Sequence, residues 1–173
     1  MSSLSGSKFV FLVANGYEDL ECWYPKIRLE EAGAETVVAS FEKGVYESKH
    51  GYPIEATHKV EDLDIDDYDG VVIPGGNTSP DKLRRYQGVN EFVRDMDEAG
   101  KVIAMICHAG WVPISAGILD GRNATSYMAI KDDMINAGVN FKDEAVVIDG
   151  NLVSSRHPGD LPDFCRAILK VAK

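Results

Sequence analysis

The sequence predicts an α/β protein in which a mostly parallel sheet lies between two layers of helices, and three observations carry that expectation. Short apolar runs without polar alternation are typical of strands buried on both faces. Between them lie stretches whose apolar residues recur at helical spacing. Near the end of the chain, Asp149-Gly150 separates two apolar runs by a two-residue turn, which adds an antiparallel hairpin at one edge. The chain has 173 residues, 45% of them hydrophobic and 27% charged, which suffices for one sizeable core and lies far from the composition of a disordered chain.

Taken in order, strands are expected at residues 9–14, 36–40, 70–73, 102–106 and 145–148, with a further short strand at Leu152-Val153 across the hairpin turn. Leu20, Trp23 and Ile27 place the buried stripe of a first helix. Val89, Phe92, Val93 and Met96 do the same for a later one, and Leu161, Phe164, Ile168 and Val171 for the last. Gly33, Gly100 and Gly138 stand just past helices, where a left-handed cap is wanted. No repeat, low-complexity tract or linker interrupts this pattern, so residues 8–173 are expected to form a single domain behind a disordered or appended tail at residues 1–7.

Charge and cysteine usage exclude several function classes. With 28 Asp plus Glu against 18 Lys plus Arg, the net charge of -10 repels phosphate backbones and anionic membrane surfaces. Neither a stable nucleic-acid complex nor a membrane partner is expected. The first apolar run is too short to cross a bilayer and leads into Gly16-Tyr17-Glu18-Asp19 rather than a cleavage site, so no export signal is read. Cys22, Cys107 and Cys165 are odd in number and form no Cys-x-x-Cys pair, which reads as free thiols in a reducing cytoplasm. Asp62, Asp64 and Asp66 imitate the start of a calcium loop, but Asp67 stands where glycine is needed and Ile73 where the bidentate glutamate belongs. His50 and His58 lack partners at ligand spacing, and no glycine-rich nucleotide fingerprint follows a strand. No metal and no cofactor are therefore expected.

In open α/β sheets, ligands bind beyond the carboxyl ends of the strands. That rule selects residues 15–18, 74–77, Cys107-His108 and 154–160. Cys107 directly follows the fourth apolar run and precedes a helix through Trp111, Ile114 and Ile118, the strand, sharp turn and helix of a nucleophile elbow. A helix N-terminus below the thiol would favour thiolate, so an acidic, reactive cysteine is expected. Gly75-Gly76 lets backbone N–H groups approach a ligand, and one of them with the N–H of His108 could hold an oxyanion. Asp19 and Glu21 are read as helix-end stabilisation, whereas Glu18 is placed at the carboxyl edge, where a protonated carboxyl could donate to the thiolate.

Four segments then carry a resemblance: Ala104-Met-Ile-Cys-His-Ala-Gly110, Pro74-Gly-Gly76, Gly121-Arg-Asn-Ala-Thr-Ser-Tyr127 and Ile130-Lys-Asp-Asp-Met-Ile-Asn-Ala-Gly138. Together, in this order, they resemble the PfpI-type intracellular protease family of the class I glutamine amidotransferase-like superfamily, which also holds deglycases, glyoxalases and stress-induced chaperones. The resemblance runs from about Phe9 to the C-terminus. It implies a flavodoxin-like three-layer sandwich, Cys107 as nucleophile, His108 as its base, Glu18 as the carboxyl on the thiol, and Gly76 with His108 as oxyanion donors. It also implies that Asp81, after Pro80, reaches a neighbouring subunit's histidine in a homo-oligomer, a dimer or a hexamer, where the family usually has glutamate. Tyr127 matches a family tyrosine near the pocket, and His157 matches the late-loop histidine that amidotransferase relatives use as base, a rival to His108. Ala109-Gly110 replaces the usual Gly-Pro after Cys-His.

The function so implied is that of a cysteine-nucleophile enzyme, with two substrate readings left open. One is an intracellular cysteine peptidase; the other is a deglycase or glyoxalase acting on α-oxoaldehydes and their protein adducts. The alternative is a redox-sensing stress protein or chaperone built on the same reactive cysteine.

Overall fold

A computed structural model of the chain describes residues 4–172. Its central sheet is built from the unbroken apolar runs, since strands without polar alternation can satisfy their backbone only in a ladder covered on both faces. These are β1 (Lys8–Leu12), β2 (Glu35–Ser40), β6 (Gly70–Ile73), β7 (Val102–Ile106) and β11 (Leu152–Ser155). Together with β5 (His58–Lys59) and β10 (Val146–Asp149) they form seven strands in the order β10-β11-β7-β6-β1-β2-β5. Every pair is parallel except β10 with β11, and the register sets Val10 between Val37 and Val71, and Ile103 between Val71 and Leu152. All four residues of β6 and all five of β7 are buried.

The hairpin at Asp149-Gly150 is present, with Gly150 at φ 58°, but its arms exchange the expected roles. The second arm, β11, is wholly buried and joins β7 in parallel, while the first arm, β10, is the antiparallel edge and leaves Ile148 39% exposed. Two short hairpin strands escaped the sequence reading: β3 (Gly44–Glu47) and β4 (Pro53–Ala56), which pair with each other outside the main sheet. Another small ladder joins β8 (Asn123–Ala124) to β9 (Asn140–Phe141).

Helix α1 (Asp19–Glu31) packs on α6 (Leu161–Val171), and α6 lies against β7, β10 and β11. Helices α3 (Gln87–Glu98) and α4 (Trp111–Ala116) pack on each other, with α3 over β6 and β7 and α2 (Ser79–Leu83) beside α4. The short α5 (Lys131–Asn136) follows α4. The stripes of α3 and α6 are buried as expected, through Val89, Phe92, Val93 and Met96, and through Leu161, Phe164 and Ile168. The stripe of α1 is not. Leu20 and Ile27 are 57% and 59% exposed, and the buried face is instead Glu21, Cys22, Pro25 and Leu29. Two apolar sets lie on this helix, and its rotation follows Glu21, whose carboxylate accepts the Gly75 backbone N–H at 2.8 Å.

The expected tail at residues 1–7 is corrected in part. Leu4 is buried, its N–H donates to the Ala32 carbonyl at 2.7 Å, and the Ser7 carbonyl accepts from Glu35 at 2.8 Å, so residues 4–7 seal the turn between α1 and β2. Residues 1–3 lie outside the described residues. Among the described residues, no helix is long and apolar enough to cross a membrane.

Candidate active site

The carboxyl ends of β1, β6, β7 and β11 meet at a cleft of about 410 Å³. At its floor, β7 ends and Cys107 turns the chain at φ 64°, the one positive φ of a non-glycine residue among the described residues. Left-handed backbone at such a residue costs about 1–2 kcal/mol and is found where a side chain must be held in one place. A tight turn over Cys107–Gly110 then leads into α4. Gly110 fits because a Cβ there would stand 2.7 Å from the Met134 sulfur, which accounts for glycine at that position. Since α4 spans only six residues, its dipole gives the thiol little help, and the expected source of acidity is weak.

The carboxyl beside the thiol belongs to Glu21, not Glu18. Glu21 is fully buried in the first turn of α1, and it interacts directly with the Cys107 thiol while its Oε2 accepts from Gly75. Burial, and then the charge of Glu18, push Glu21 up to about 8, so it carries its proton at neutral pH. Its Oε1, buried with no hydrogen-bond partner, is the oxygen available to hold that proton. Burial, followed by a charged Glu21, pushes the Cys107 thiol up to about 12, while the backbone N–H groups of His108 and Gly76 draw it down. Once Glu21 is protonated its push vanishes, and burial alone opposes those two donors. The resting thiol is therefore not the acidic one expected from the turn alone.

His108 Nδ1 lies 3.2 Å from Cys107 Sγ. Burial, and then the nearby Lys49 charge, hold the imidazole below its ordinary value, so it is neutral and able to take a proton. Its ring is held between Trp111, at 5.3 Å and nearly edge-on, and Tyr127, at 5.1 Å. Trp111 is itself anchored by its indole N–H to Asp133 at 2.9 Å. Tyr127 is 40% exposed at the cleft mouth, and its N–H donates to the Cys107 carbonyl.

His157 also lines the cleft, with its Nε2 3.6 Å from Asp160 and its side chain about half exposed. The structure brings Gly76 to the sulfur, but the Gly75 N–H is consumed by Glu21, which removes Gly75 as an oxyanion donor. Gly75 instead permits close packing: a Cβ there would lie 2.4 Å from Glu21 Oε2 and 2.7 Å from Cys107 Cβ. Gly76 is required twice, by φ 85° and by the Gly16 carbonyl 2.3 Å from where its Cβ would be. Asp81 is not brought to the cleft within this chain. It sits half exposed on α2 and pairs with Arg85 one turn on.

Glu18 serves another residue that sequence reasoning missed, Lys49, whose ammonium lies 3.1 Å from Glu18 Oε2 in the cleft wall. Trp111 was missed as well, whereas Asn77 lines the cleft within the 74–77 segment that the sheet-edge rule selects. A signal for Glu21 was present, since it lies at helical spacing from Pro25 and Leu29 on the buried face. Among the described residues one donor cluster, Glu18, Asp19 and His50, has atoms within 4.8 Å of one another. Its atoms are already engaged: Asp19 accepts from Ser48 and lies 2.7 Å from His50 Nδ1, and Lys49 beside Glu18 opposes a further cation.

The chain has relatives among known proteins. The chain is 48% identical over 166 residues to deglycase PfpI of Pyrococcus furiosus, covering 96% of this chain and 99% of that one. It is 39% identical to YraA of Bacillus subtilis, provisionally named a cysteine protease, covering 96% and 98%. Among solved structures it superposes with TM-score 0.93 at 40% identity on a two-domain protein with DJ-1/ThiJ/PfpI-like and ferritin-like domains from Anabaena variabilis, covering 95% of this chain and 47% of that one. DJ-1beta of Drosophila melanogaster matches with TM-score 0.90 at 28% identity, covering 98% and 92%. The DJ-1/PfpI family profile matches residues 7–171, and with the sandwich fold and these relatives it establishes that the chain belongs to the DJ-1/PfpI family.

Proposed function

We propose that this chain is a cysteine-dependent deglycase that removes α-oxoaldehyde adducts from amines and acts on free α-oxoaldehydes by the same chemistry. The observation that carries the reading is the strained Cys107 with His108 Nδ1 at 3.2 Å and protonated Glu21 against the sulfur. Cys107 Sγ adds to the substrate carbonyl carbon, the thiol proton passes to His108 Nδ1, and the carbonyl electron pair moves to oxygen. The backbone N–H groups of Gly76 and His108, which already face the sulfur, are placed to receive that oxyanion. His108 then returns its proton to the oxyanion of a free aldehyde, or to the amine as the C–N bond of an adduct breaks. A proton moves from the sulfur-bearing carbon to the adjacent carbonyl carbon, which turns the thiohemiacetal into the thioester of an α-hydroxy acid. Water then cleaves the C–S bond to release that acid and the Cys107 thiol. His108 takes this role rather than His157 because it has direct contact with Sγ.

The size of the cleft, about 410 Å³, suits a small carbonyl compound, and relatives at 43–48% identity are named deglycases. The peptidase reading is separated by one panel. Methylglyoxal, a methylglyoxal-modified amine and fluorogenic peptides are given to the same preparation, and aldehyde and adduct loss without peptide cleavage is expected. Peptide cleavage at a comparable kcat/KM would replace the deglycase reading by the peptidase one.

Self-association belongs to the same reading. Leu20, Tyr24 and Ile27 leave an apolar strip exposed on α1, and Asp81 gains a catalytic use only beside a second copy. Light scattering at the mass of a monomer under assay conditions would remove this part.

A further inference from the structure

The turn between β3 and β4 is fastened to the loop between β1 and α1 by a dense set of hydrogen bonds. The Lys49 N–H donates to the Tyr17 carbonyl at 2.8 Å, and the Gly16 N–H to the Glu47 carbonyl at 2.8 Å. Asn15 Oδ1 accepts from the Glu47 N–H, and the Tyr17 hydroxyl donates to the Tyr52 carbonyl at 2.7 Å. Ser48 Oγ gathers the N–H groups of His50 and Tyr52 while donating to Asp19. Tyr52 packs edge-on against Trp23. A turn clamped this thoroughly holds one residue at the cleft, and that residue is Lys49.

Lys49 is the one lysine or arginine among the cleft residues of a protein whose net charge is -10. An ammonium has three donors, and among the described contacts the side chain has a single acceptor, Glu18. Of its neighbours in the wall, Glu18 is its ion-pair partner, Glu21 holds its proton, and His108 is kept neutral in part by Lys49 itself. The side chain is about half exposed, so an incoming anion reaches it without unfolding the turn.

We propose that Lys49 is a specificity-determining residue that receives a carboxylate on the substrate, so that the preferred substrates are α-oxoaldehydes that also carry a carboxylate. This rests on the cysteine-enzyme reading above and names the substrate class for the same site. An α-oxoaldehyde such as 4,5-dioxopentanoate has the paired carbonyls of methylglyoxal and, two methylenes away, a carboxylate, whereas methylglyoxal has the carbonyls alone. Discrimination then comes from a charge-assisted hydrogen bond to the ammonium, with Glu18 as the internal anion that the substrate must displace or share.

The test compares wild type, Lys49→Met, Lys49→Arg and Glu18→Gln on 4,5-dioxopentanoate and on methylglyoxal. Lys49→Met is expected to raise KM for 4,5-dioxopentanoate by about tenfold with kcat little changed, and to leave KM for methylglyoxal within about twofold. Lys49→Arg retains most of the preference for the anionic substrate. Glu18→Gln lowers KM for 4,5-dioxopentanoate, because it removes the competing anion; a purely structural role for the ion pair would raise it. Equal effects of Lys49→Met on both substrates overturn the proposal. A parallel arm does not depend on turnover: calorimetric binding of pyruvate to Cys107→Ala, with and without Lys49→Met. Weaker binding in the double variant supports the anion site, and pyruvate binding that is absent or insensitive to Lys49 overturns it. If wild type turns over neither aldehyde, the deglycase reading fails, and the calorimetric arm alone decides the role of Lys49.

Discussion

Cys107→Ala is expected to lower kcat/KM for methylglyoxal by at least about 10³-fold, because it removes the atom that forms the covalent bond and leaves only the donors around it. The fold should survive the change. Cys107 is held in left-handed backbone that alanine tolerates as poorly as cysteine does, so the strain is unchanged, and only a sulfur is lost from a partly exposed side chain. Cys22 and Cys165 provide the control. Both are buried, and burial pushes each of their thiols far up, Cys165 to about 12, so they are poor nucleophiles. Substituting either by alanine should leave turnover within about threefold. Turnover retained in Cys107→Ala would show that the chemistry lies elsewhere.

Gly75→Ala should have the second-largest effect, although one methyl group is all that is added. That Cβ would stand 2.4 Å from Glu21 Oε2, 2.7 Å from Cys107 Cβ and 2.9 Å from the Ile106 carbonyl. Two of these three neighbours are held by β7 and the elbow, and the third by its bond to the Gly75 N–H itself. None can retreat without moving the thiol. A loss of about 3 kcal/mol of stability, a Tm lower by roughly 10 °C and a fall of about 10²-fold in kcat are expected. Calorimetry and steady-state kinetics check the two parts separately. Wild-type stability and rate in Gly75→Ala would mean that the carboxyl, thiol and loop are not in contact as described.

The sheet was legible because its strands are short unbroken apolar runs, and the ends of those runs pointed to the cleft through Cys107, His108, Gly76 and His157. The α1 helix was read on the wrong face because it has two apolar sets, and periodicity alone does not say which one meets the sheet. A buried carboxylic acid breaks the usual inside-outside rule, so Glu21 was taken for helix-end stabilisation despite its spacing from Pro25 and Leu29; its partner, the Gly75 N–H, lies 54 residues away. Lys49 was invisible for a related reason. Its turn belongs to a hairpin whose strands are mostly exposed and too weakly patterned to be seen, and its place in the cleft comes from bonds to a loop more than thirty residues earlier in the chain. The hairpin at Asp149-Gly150 was read correctly as a turn, yet which arm is interior depends on burial of Ser154 and Ser155. Their hydroxyls are satisfied inside, Ser155 by donating to the Ala145 carbonyl at 2.6 Å.

The central claim is that Cys107, Glu21 and His108 act as one proton-sharing unit, and the pH dependence of kcat/KM tests it most directly. His108 must be neutral to take the thiol proton, and its ordinary value of 6.5 is lowered by burial, so the rate should rise with pH through a value below 6.5. Glu21 must stay protonated, because its charge opposes a thiolate. Since it is pushed up to about 8, the rate should fall as pH rises through that region. The same proton is bound by the folded chain and released by the unfolded one between the ordinary glutamate value and about 8, so stability should also decline across that window. Measured on wild type, Glu21→Gln and Glu18→Gln, the descending limb near pH 8 is expected to vanish in Glu21→Gln and to persist in Glu18→Gln. A limb that survives Glu21→Gln, or one that disappears with Glu18→Gln instead, would contradict the account.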